Sequence, residues 1–137
     1  MRVRDIMSTD VKCLTPETGI KEVAIHMKTL DVGFIPICEN DRLVGAITDR
    51  DIVLRAIAEG REISTCTARD IMTKDVFWCY EDDSVKDVAK KMREKDVRRM
   101  LILNHDKKLV GVVSLGDLSK VEEKVSGQTL RDITEAA

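Results

Sequence analysis

The chain repeats itself, and this internal repeat limits the possible fold more than any other feature of the sequence. The tetrapeptide RDIM stands at residues 4–7 and again at residues 69–72, and a third, shortened copy stands at residues 131–134. Further matches run through both copies, among them Asp31-Val32 with Asp96-Val97. A duplicated unit of about sixty residues is too short for a comfortable core of its own. We therefore expect the two copies to bury apolar surface against each other.

Each copy predicts the element order β-α-β-β-α, which places the chain in a mixed α/β (α+β) class. Short β-prone runs precede amphipathic helices in which Met27 and Met92 occupy matching positions on the apolar face, as core residues do. A β-hairpin and a last helix follow in each copy. The predicted strands before the helices are residues 11–16 and 76–81, the predicted first helices are Glu17 to Leu30 and Ser84 to Lys95, and the predicted last helices are Asp49 to Glu59 and Leu115 to about Val125.

Composition and charge exclude several classes of function. The chain of 137 residues is 43% hydrophobic, which suffices for a compact core. A net charge of -2 with mixed signs gives no general attraction for nucleic acid or an anionic membrane. No apolar run is long enough to span a membrane and the N-terminus lacks the apolar core of a signal peptide, so we expect a cytoplasmic protein. The four cysteines form no C-x-x-C pair, which favours reduced, mostly buried thiols over a zinc site.

The duplicated order, the RDIM phrase and the sequences GAITDRD (45–51) and GVVSLGD (111–117) together resemble a pair of cystathionine-β-synthase (CBS) domains, also called a Bateman module. The resemblance covers residues 1–122. It implies two repeats packed about a pseudo-twofold axis, with two clefts that in many relatives bind adenine nucleotides or other adenosyl ligands. The predicted domains are repeat 1 (1–60), a linker (61–67), repeat 2 (68–122) and a C-terminal tail (123–137) with a short helix.

Two strand-to-helix junctions carry chemistry that suits such a ligand. Thr48 and Asp51 stand at the first junction, and Ser114 and Asp117 stand at the second. A helix N-terminus favours a phosphate, and a nearby carboxylate can accept hydrogen bonds from both hydroxyls of a ribose. The alternative is a capping box, in which these side chains only satisfy the helix end. The resemblance favours the ligand role, because these positions match the family's ribose-contacting Ser/Thr and Asp.

The two copies differ in the charge that precedes their central hairpins. Arg98 and Arg99 stand in the second copy, where the resemblance implies contacts to ligand phosphates, and an arginine can make them with a bidentate fork. The first copy has Gly33 at the matching position. We therefore expect two inequivalent clefts. The alternative is that the arginines are solvated and pair with Glu94 or Asp96.

The predicted ligand-binding set combines both junctions with the residues that flank them. No catalytic residue and no metal ligand is predicted, because His26 and His105 have no nucleophile or metal-ligating partner near them in sequence. The predicted ligand-binding residues are Thr15, Phe34, Ile35, Ile47, Thr48, Arg50, Asp51, Arg98, Arg99, Val113, Ser114, Gly116 and Asp117.

The function predicted from these features is that of a regulatory sensor rather than an enzyme. It needs no cofactor and takes an adenine nucleotide as its regulatory ligand. AMP is favoured over ADP and ATP, because two arginines and a helix N-terminus suit a short phosphate group and no magnesium motif is visible. We expect a homodimer whose packing responds to the ligand or which acts on a further protein target. The resemblance implies that the two chains meet as a disc of four CBS units. The alternative is an interaction or dimerisation module with vestigial clefts.

Overall fold

The protein was analysed as a computed structural model that describes residues 1–121. Its contacts divide the chain into two compact units. Within the described residues, the first-repeat unit consists of residues 12–76 and 107–109, and the second-repeat unit consists of residues 1–11, 77–106 and 110–121. The predicted C-terminal tail, the shortened RDI copy and the predicted end of the last helix lie outside the described residues.

The first-repeat unit has two strands and three helical segments around one apolar core. Helix α1 (Ile20–Leu30) precedes the strands β1 (Phe34–Glu39) and β2 (Arg42–Thr48), which pair antiparallel. Helix α2 (Asp49–Asp51) continues without a break into a π-helix at Ile52–Ile57, and the short helix α3 is Ala68–Ile71. Side chains from all of these elements except α2 meet in the core, which includes Val23, Met27, Ile35, Ile37, Ile47, Ala56 and Ile71.

The second-repeat unit repeats this arrangement with one strand more. A 3-10 turn at Val3–Asp5 is followed, much later in the chain, by strand β3 (Trp78–Tyr80) and helix α4 (Val85–Lys95). Strands β4 (Arg99–Leu103) and β5 (Leu109–Ser114) complete a three-stranded sheet in which β3 and β4 are parallel. A last helix, α5, covers residues 115–121. The core of this unit includes Val3, Val88, Met92, Met100, Ile102, Val113 and Leu118.

The predicted mixed α+β class is confirmed, and both methionines at the matching helix positions lie in the cores. Three element predictions were wrong. The run at 11–16 forms no strand, and Leu14 makes only a single bridge to Ile37. The first helix starts at Ile20 rather than Glu17, because Thr18 turns the chain by accepting a hydrogen bond from the Thr15 N–H at 3.2 Å. The helix predicted from Asp49 to Glu59 becomes π-helical at Ile52.

The repeated Asp-Val pair marks the ends of α1 and α4. Asp31 and Asp96 adopt left-handed backbone angles, with φ of 54° and 53°. The next residue, Val32 or Val97, donates its N–H back to the carbonyl of Met27 or Met92 at 3.0 and 3.1 Å. This is the backbone pattern that ends a helix when one residue can turn left-handed, and aspartate tolerates that conformation better than most residues. The shared pair therefore fixes where each helix stops.

The RDIM phrase docks on the second strand of a hairpin in both units. Met72 lies over Gly45, where an added Cβ would stand 2.8 Å from its sulfur, and Met7 lies over Gly111, where the corresponding distance is 2.5 Å. Only a residue without a Cβ leaves room for the methionine at these two points. Reciprocal hydrogen bonds of 2.9 Å join Thr73 to Ala46 in the first-repeat unit, and bonds of 2.8 and 3.0 Å join Ser8 to Val112 in the second-repeat unit.

The RDIM segment of each sequence copy thus packs on the hairpin of the other sequence copy. Residues 4–7 dock on β5 of the second copy, and residues 69–72 dock on β2 of the first copy. The compact units therefore do not coincide with consecutive stretches of sequence. The predicted division at residues 60 and 68 remains a prediction about where the repeats of the sequence begin and end.

Candidate functional site

The first junction, where β2 passes into α2, forms a complete capping box. The Asp51 N–H donates to Thr48 Oγ1 at 3.1 Å, and the Thr48 N–H donates to Asp51 Oδ2 at 2.9 Å. Thr48 can take this role because its backbone is still extended, which lets its hydroxyl accept from the third helical N–H. Both side chains are therefore held in one orientation.

The second junction, where β5 passes into α5, has the same box at nearly the same distances. The Asp117 N–H donates to Ser114 Oγ at 3.1 Å, and the Ser114 N–H donates to Asp117 Oδ2 at 2.9 Å. The capping alternative is thus realised at both junctions. It does not use up either carboxylate, because each box engages only one of the two carboxylate oxygens.

The second carboxylate oxygen has different neighbours at the two junctions. Asp51 Oδ1 lies 3.7 Å from Arg55 Nε, and Arg55 also donates to the carbonyl of Ile71 at 3.1 Å. At the matching position of the second copy, four residues after Asp117, stands Val121. None of residues 1–121 forms an ion pair with Asp117. A carboxylate next to a cation is a poorer partner for new donors, so Asp117 is the more available of the two.

The backbone N–H groups at the first helix start are all occupied. The Asp49 N–H donates to the carbonyl of Gly33 at 3.0 Å, the Arg50 N–H donates to Asp49 Oδ1 at 2.8 Å, and the Asp51 N–H is taken by Thr48. A carboxylate thus stands where a phosphate would have to bind. Because like charges repel and the amides are already used, the first junction is poorly suited to an anion.

The second helix start keeps the first of these bonds and lacks the acid. The Leu115 N–H donates to the carbonyl of Arg98 at 3.0 Å, which matches the bond from Asp49 to Gly33. Residue 115 is leucine, which has no acceptor for the N–H of Gly116, and in the described part of the chain no other side chain caps that group. One helix N–H is therefore left for an external acceptor.

Opposite charges lie at or next to the two equivalent residues that precede the hairpins, Gly33 and Arg98. A Cβ added at Gly33 would stand 2.8 Å from Asp49 Oδ2, so the carboxylate of Asp49 fills the space next to the glycine. In the second copy the same position carries the exposed side chain of Arg98, tied through its carbonyl to the start of α5. The first junction therefore presents an acid, and the second presents a guanidinium.

The other predicted ligand residues fall into two groups. Thr15, Arg50 and Arg99 are exposed, and Phe34 is half-buried and pairs with Thr48 across the hairpin. The aliphatic members Ile35, Ile47 and Val113 are at most 1% exposed and belong to the cores. Their side chains have a packing role, and their contact with a ligand remains a prediction.

Two residues outside the predicted set shape the first junction. Asp49 was passed over, although an acid at the first helical position next to a glycine-bearing partner strand was the available signal. Arg55 is the second of these residues, because it contacts Asp51 and donates to the RDIM backbone. Its spacing of four residues from Asp51 on a predicted helix was the signal for this contact.

A cluster at the end of β3 engages one of the two histidines. The ring of His105 stacks on Tyr80 with centroids 4.3 Å apart, and its Nε2 lies 3.0 Å from both carboxylate oxygens of Asp82. This hydrogen bond from His105 holds the pKa of Asp82 below its usual value. The histidine therefore has a partner that the sequence did not reveal, but the pair is exposed and no nucleophile accompanies it within residues 1–121.

Comparison with known proteins identifies the family. The family model of the CBS domain matches residues 3–57 and 68–124. The chain belongs to the CBS domain family. It is 38% identical over 138 residues to the protein YlbB of Bacillus subtilis (strain 168), a match that covers 98% of this chain and 92% of the relative.

Two solved structures resemble the fold of this CBS pair. The crystal structure of Hypoxic Response Protein I with two coordinated zinc ions has a TM-score of 0.79 at 32% identity, and covers 88% of this chain and 98% of that one. The CBS domain pair of protein MJ0100, in complex with 5-methylthioadenosine and S-adenosyl-L-methionine, has a TM-score of 0.75 at 29% identity, with coverage of 88% and 98%.

The described residues of this CBS pair contain neither a metal-binding cluster nor a membrane-spanning helix. Residues 1–121 contain no group of three or more His, Cys, Asp or Glu side chains that could hold a metal ion. Over the same residues, no helix has both the length and the apolar character required to cross a lipid bilayer.

Proposed function

We propose that this CBS pair is a regulatory module, not an enzyme, that binds an adenine nucleotide at its second strand-to-helix junction. The observation that carries this proposal is the contrast at the helix starts: Arg98, an uncapped Gly116 N–H and Asp117 stand at the second, and the Asp49 carboxylate stands at the first. Arg98 and Gly116 supply the cation and the amide for a phosphate, and the second oxygen of Asp117 accepts from the ribose.

The adenosyl class of ligand has support from a relative. The MJ0100 pair, at 29% identity, was crystallised with two ligands that share the adenosine group. Its ligands bear no phosphate, so the nucleotide part of the proposal rests on this chain's own residues. Arg98 and Arg99 are exposed at the start of β4, and two guanidinium groups there suit a short phosphate group. AMP is for this reason favoured over ADP and ATP.

Isothermal titration calorimetry with AMP, ADP, ATP and adenosine tests this function directly. We expect AMP to bind more tightly than adenosine, and a ligand at 100 times its dissociation constant to stabilise the fold by about 2.7 kcal/mol in thermal unfolding. S-adenosylmethionine and NAD serve as comparison ligands. If none of these ligands binds at millimolar concentration, the interaction-module function replaces the proposal.

The proposal includes a homodimer, located in the cytoplasm, whose packing changes with the ligand or which passes the signal to a protein target. Supporting it, the π-helical segment exposes Val53, Leu54 and Ile57 at 53%, 44% and 62% of their surface, and the start of α5 exposes Leu115 at 44%. Ala56 and Leu118, on the same two helical segments, are instead buried within their own units. Light scattering after gel filtration tests the dimer, and its repetition with AMP tests the change in packing. A monomer at tens of micromolar would end this part of the proposal.

A further inference from the structure

Two cysteines of the first-repeat unit lie on neighbouring segments that are joined by backbone hydrogen bonds. The Leu14 N–H donates to the carbonyl of Pro36 at 3.1 Å, and the Cys38 N–H donates to the carbonyl of Leu14 at 2.8 Å. These two bonds make a parallel bridge between Leu14 and Ile37. Cys13 and Cys38 are the immediate neighbours of the two bridged residues.

The side chains of both cysteines leave the bridge on the same side. Leu14 and Ile37 both contact the apolar core of the unit, and successive side chains of an extended segment point to opposite faces. Cys13 and Cys38 therefore share the face away from that core, one on each of two segments joined by hydrogen bonds. In this parallel register Cys13 lies opposite Pro36 and Cys38 lies opposite Thr15, so the two cysteines are diagonal neighbours on segments about 4.8 Å apart. The side chain of Cys13 reaches the thiol of Cys38 across this diagonal.

The two thiols differ in their access to solvent. Cys13 is exposed, whereas Cys38 is only 4% exposed. Burial, and after it the neighbouring thiol of Cys13, raises the pKa of Cys38 well above its ordinary value. An oxidant in solution therefore reacts with Cys13 first, and the buried Cys38 is the thiol that can react second.

We propose that Cys13 and Cys38 are a reversible dithiol-disulfide pair that responds to peroxide. In the first step the Cys13 sulfur attacks one oxygen of the peroxide, whose O–O bond breaks, and a sulfenic acid and one water result for hydrogen peroxide. In the second step the Cys38 sulfur attacks the sulfenic sulfur, the S–O bond breaks, and the thiol proton leaves with the hydroxide as a second water. The two thiols lose two electrons, and the peroxide gains them.

The disulfide closes a loop from residue 13 to residue 38 that contains the whole of α1. Cross-linking a loop of this size restricts the unfolded chain and stabilises the folded one. The oxidised protein is therefore expected to melt roughly 10 °C above the reduced protein. The pair is independent of the nucleotide proposal, since neither cysteine lies at the second junction.

The test is to treat the reduced, folded full chain with hydrogen peroxide, block the remaining thiols by alkylation, and map the peptides by mass spectrometry. We expect a peptide pair linked through Cys13 and Cys38, a mass lower by two hydrogen atoms, the rise in melting temperature, and full reversal by dithiothreitol. Cys66→Ala is the matched control, because Cys66 is also buried in this unit and should leave the linkage unchanged.

Two variants make the outcome decisive. Cys13→Ser changes an exposed residue and should abolish both the linkage and the rise in melting temperature, while the reduced form keeps its stability. Cys38→Ala should leave Cys13 to proceed to sulfinic acid. The proposal is overturned if wild-type protein gives sulfinic acid at Cys13 with no internal linkage. It is equally overturned if the only disulfide joins two chains, as seen on a non-reducing gel.

Discussion

The two strand-to-helix junctions of this CBS pair share the same capping geometry but present different charges to a ligand. Both have a hydroxyl and an aspartate in a reciprocal capping box with distances that agree within 0.1 Å. They differ at two neighbouring positions, where the first has Gly33 and Asp49 and the second has Arg98 and Leu115. A duplicated frame thus keeps the groups that define the helix end, while single substitutions set the charge that an incoming ligand meets.

The difference also extends to how firmly each aspartate is engaged. Arg55 ties Asp51 to the backbone of the docked RDIM segment, and the second copy has a valine at the corresponding position. The first junction therefore satisfies its own charges within the unit. Within residues 1–121, the second junction has no ion pair to Asp117 and no side-chain cap on the Gly116 N–H, and it adds the guanidinium of Arg98. We expect the second junction to carry nucleotide affinity and the first to carry mainly stability.

Removing the cation of the second junction should have the largest effect on affinity. Arg98→Ala should weaken AMP by about tenfold to a hundredfold, because a charge-assisted hydrogen bond is worth about 1.5–3 kcal/mol. Adenosine binding should stay unchanged, since adenosine has no phosphate. Arg99→Ala tests the second arginine in the same way. Calorimetry with both ligands measures the difference.

The matched control for this change is Arg50→Ala, which removes an exposed arginine from the first junction. It should leave the affinities for AMP and adenosine as they are. Equal losses for AMP and adenosine in Arg98→Ala would contradict a phosphate role for that residue, and a loss in Arg50→Ala alone would assign the nucleotide to the first junction.

Transferring the acid of the first junction to the second should have a smaller effect. Leu115→Asp would place a carboxylate where it can accept from the Gly116 N–H and repel a phosphate. We expect AMP to weaken by about fivefold to tenfold, which corresponds to the roughly 1 kcal/mol of a charge at a helix end. The control Leu115→Asn introduces a side chain of nearly the same shape as aspartate but without its charge. It therefore separates charge repulsion from the effect of losing the leucine side chain.

The result for adenosine distinguishes the causes in this pair of variants. Its affinity should not change between Leu115→Asp and Leu115→Asn, because only the phosphate is charged. If both variants weaken AMP and adenosine to the same degree, Leu115 acts through packing or through an interface between chains, and the charge argument fails.

The smallest expected effect concerns stability without ligand. Asp117→Ala should cost about 1 kcal/mol through the lost cap, and Asp51→Ala should cost slightly more, because it also leaves Arg55 without its carboxylate. The excess should be only about 0.3–0.5 kcal/mol, since half of the Arg55 side chain is in solvent. Urea unfolding of the two variants and of Arg55→Ala in the Asp51→Ala background measures it. Equal costs for both aspartates would remove the distinction in how firmly they are held.

Much of this architecture follows from local patterns in the sequence. The apolar spacing of α1 and α4, the hairpins and the Ser/Thr-to-Asp spacing of both caps depend on residues within a few positions of each other. The pairing of Cys13 with Cys38, the stacking of His105 on Tyr80 and the docking of Met72 on Gly45 join residues far apart in sequence. No local periodicity reports such contacts. The π-helix at Ile52 was missed for a related reason, because its apolar residues also fit ordinary helical spacing.

The exchange of RDIM segments determines the order in which the molecule can be completed during synthesis. The RDIM segment of the first-repeat unit can dock as soon as residue 72 has been synthesised. This is only a short time after the synthesis of the hairpin on which it packs. The segment at residues 4–7 has no hairpin to cover until β5 is made about a hundred residues later, which takes roughly 5–20 s at the usual rate of translation. During this interval Met7 and the backbone of Ser8 stay without their native contacts. The RDIM segment at residues 4–7 is therefore synthesised well before the strand on which it docks, and it reaches its native contacts late.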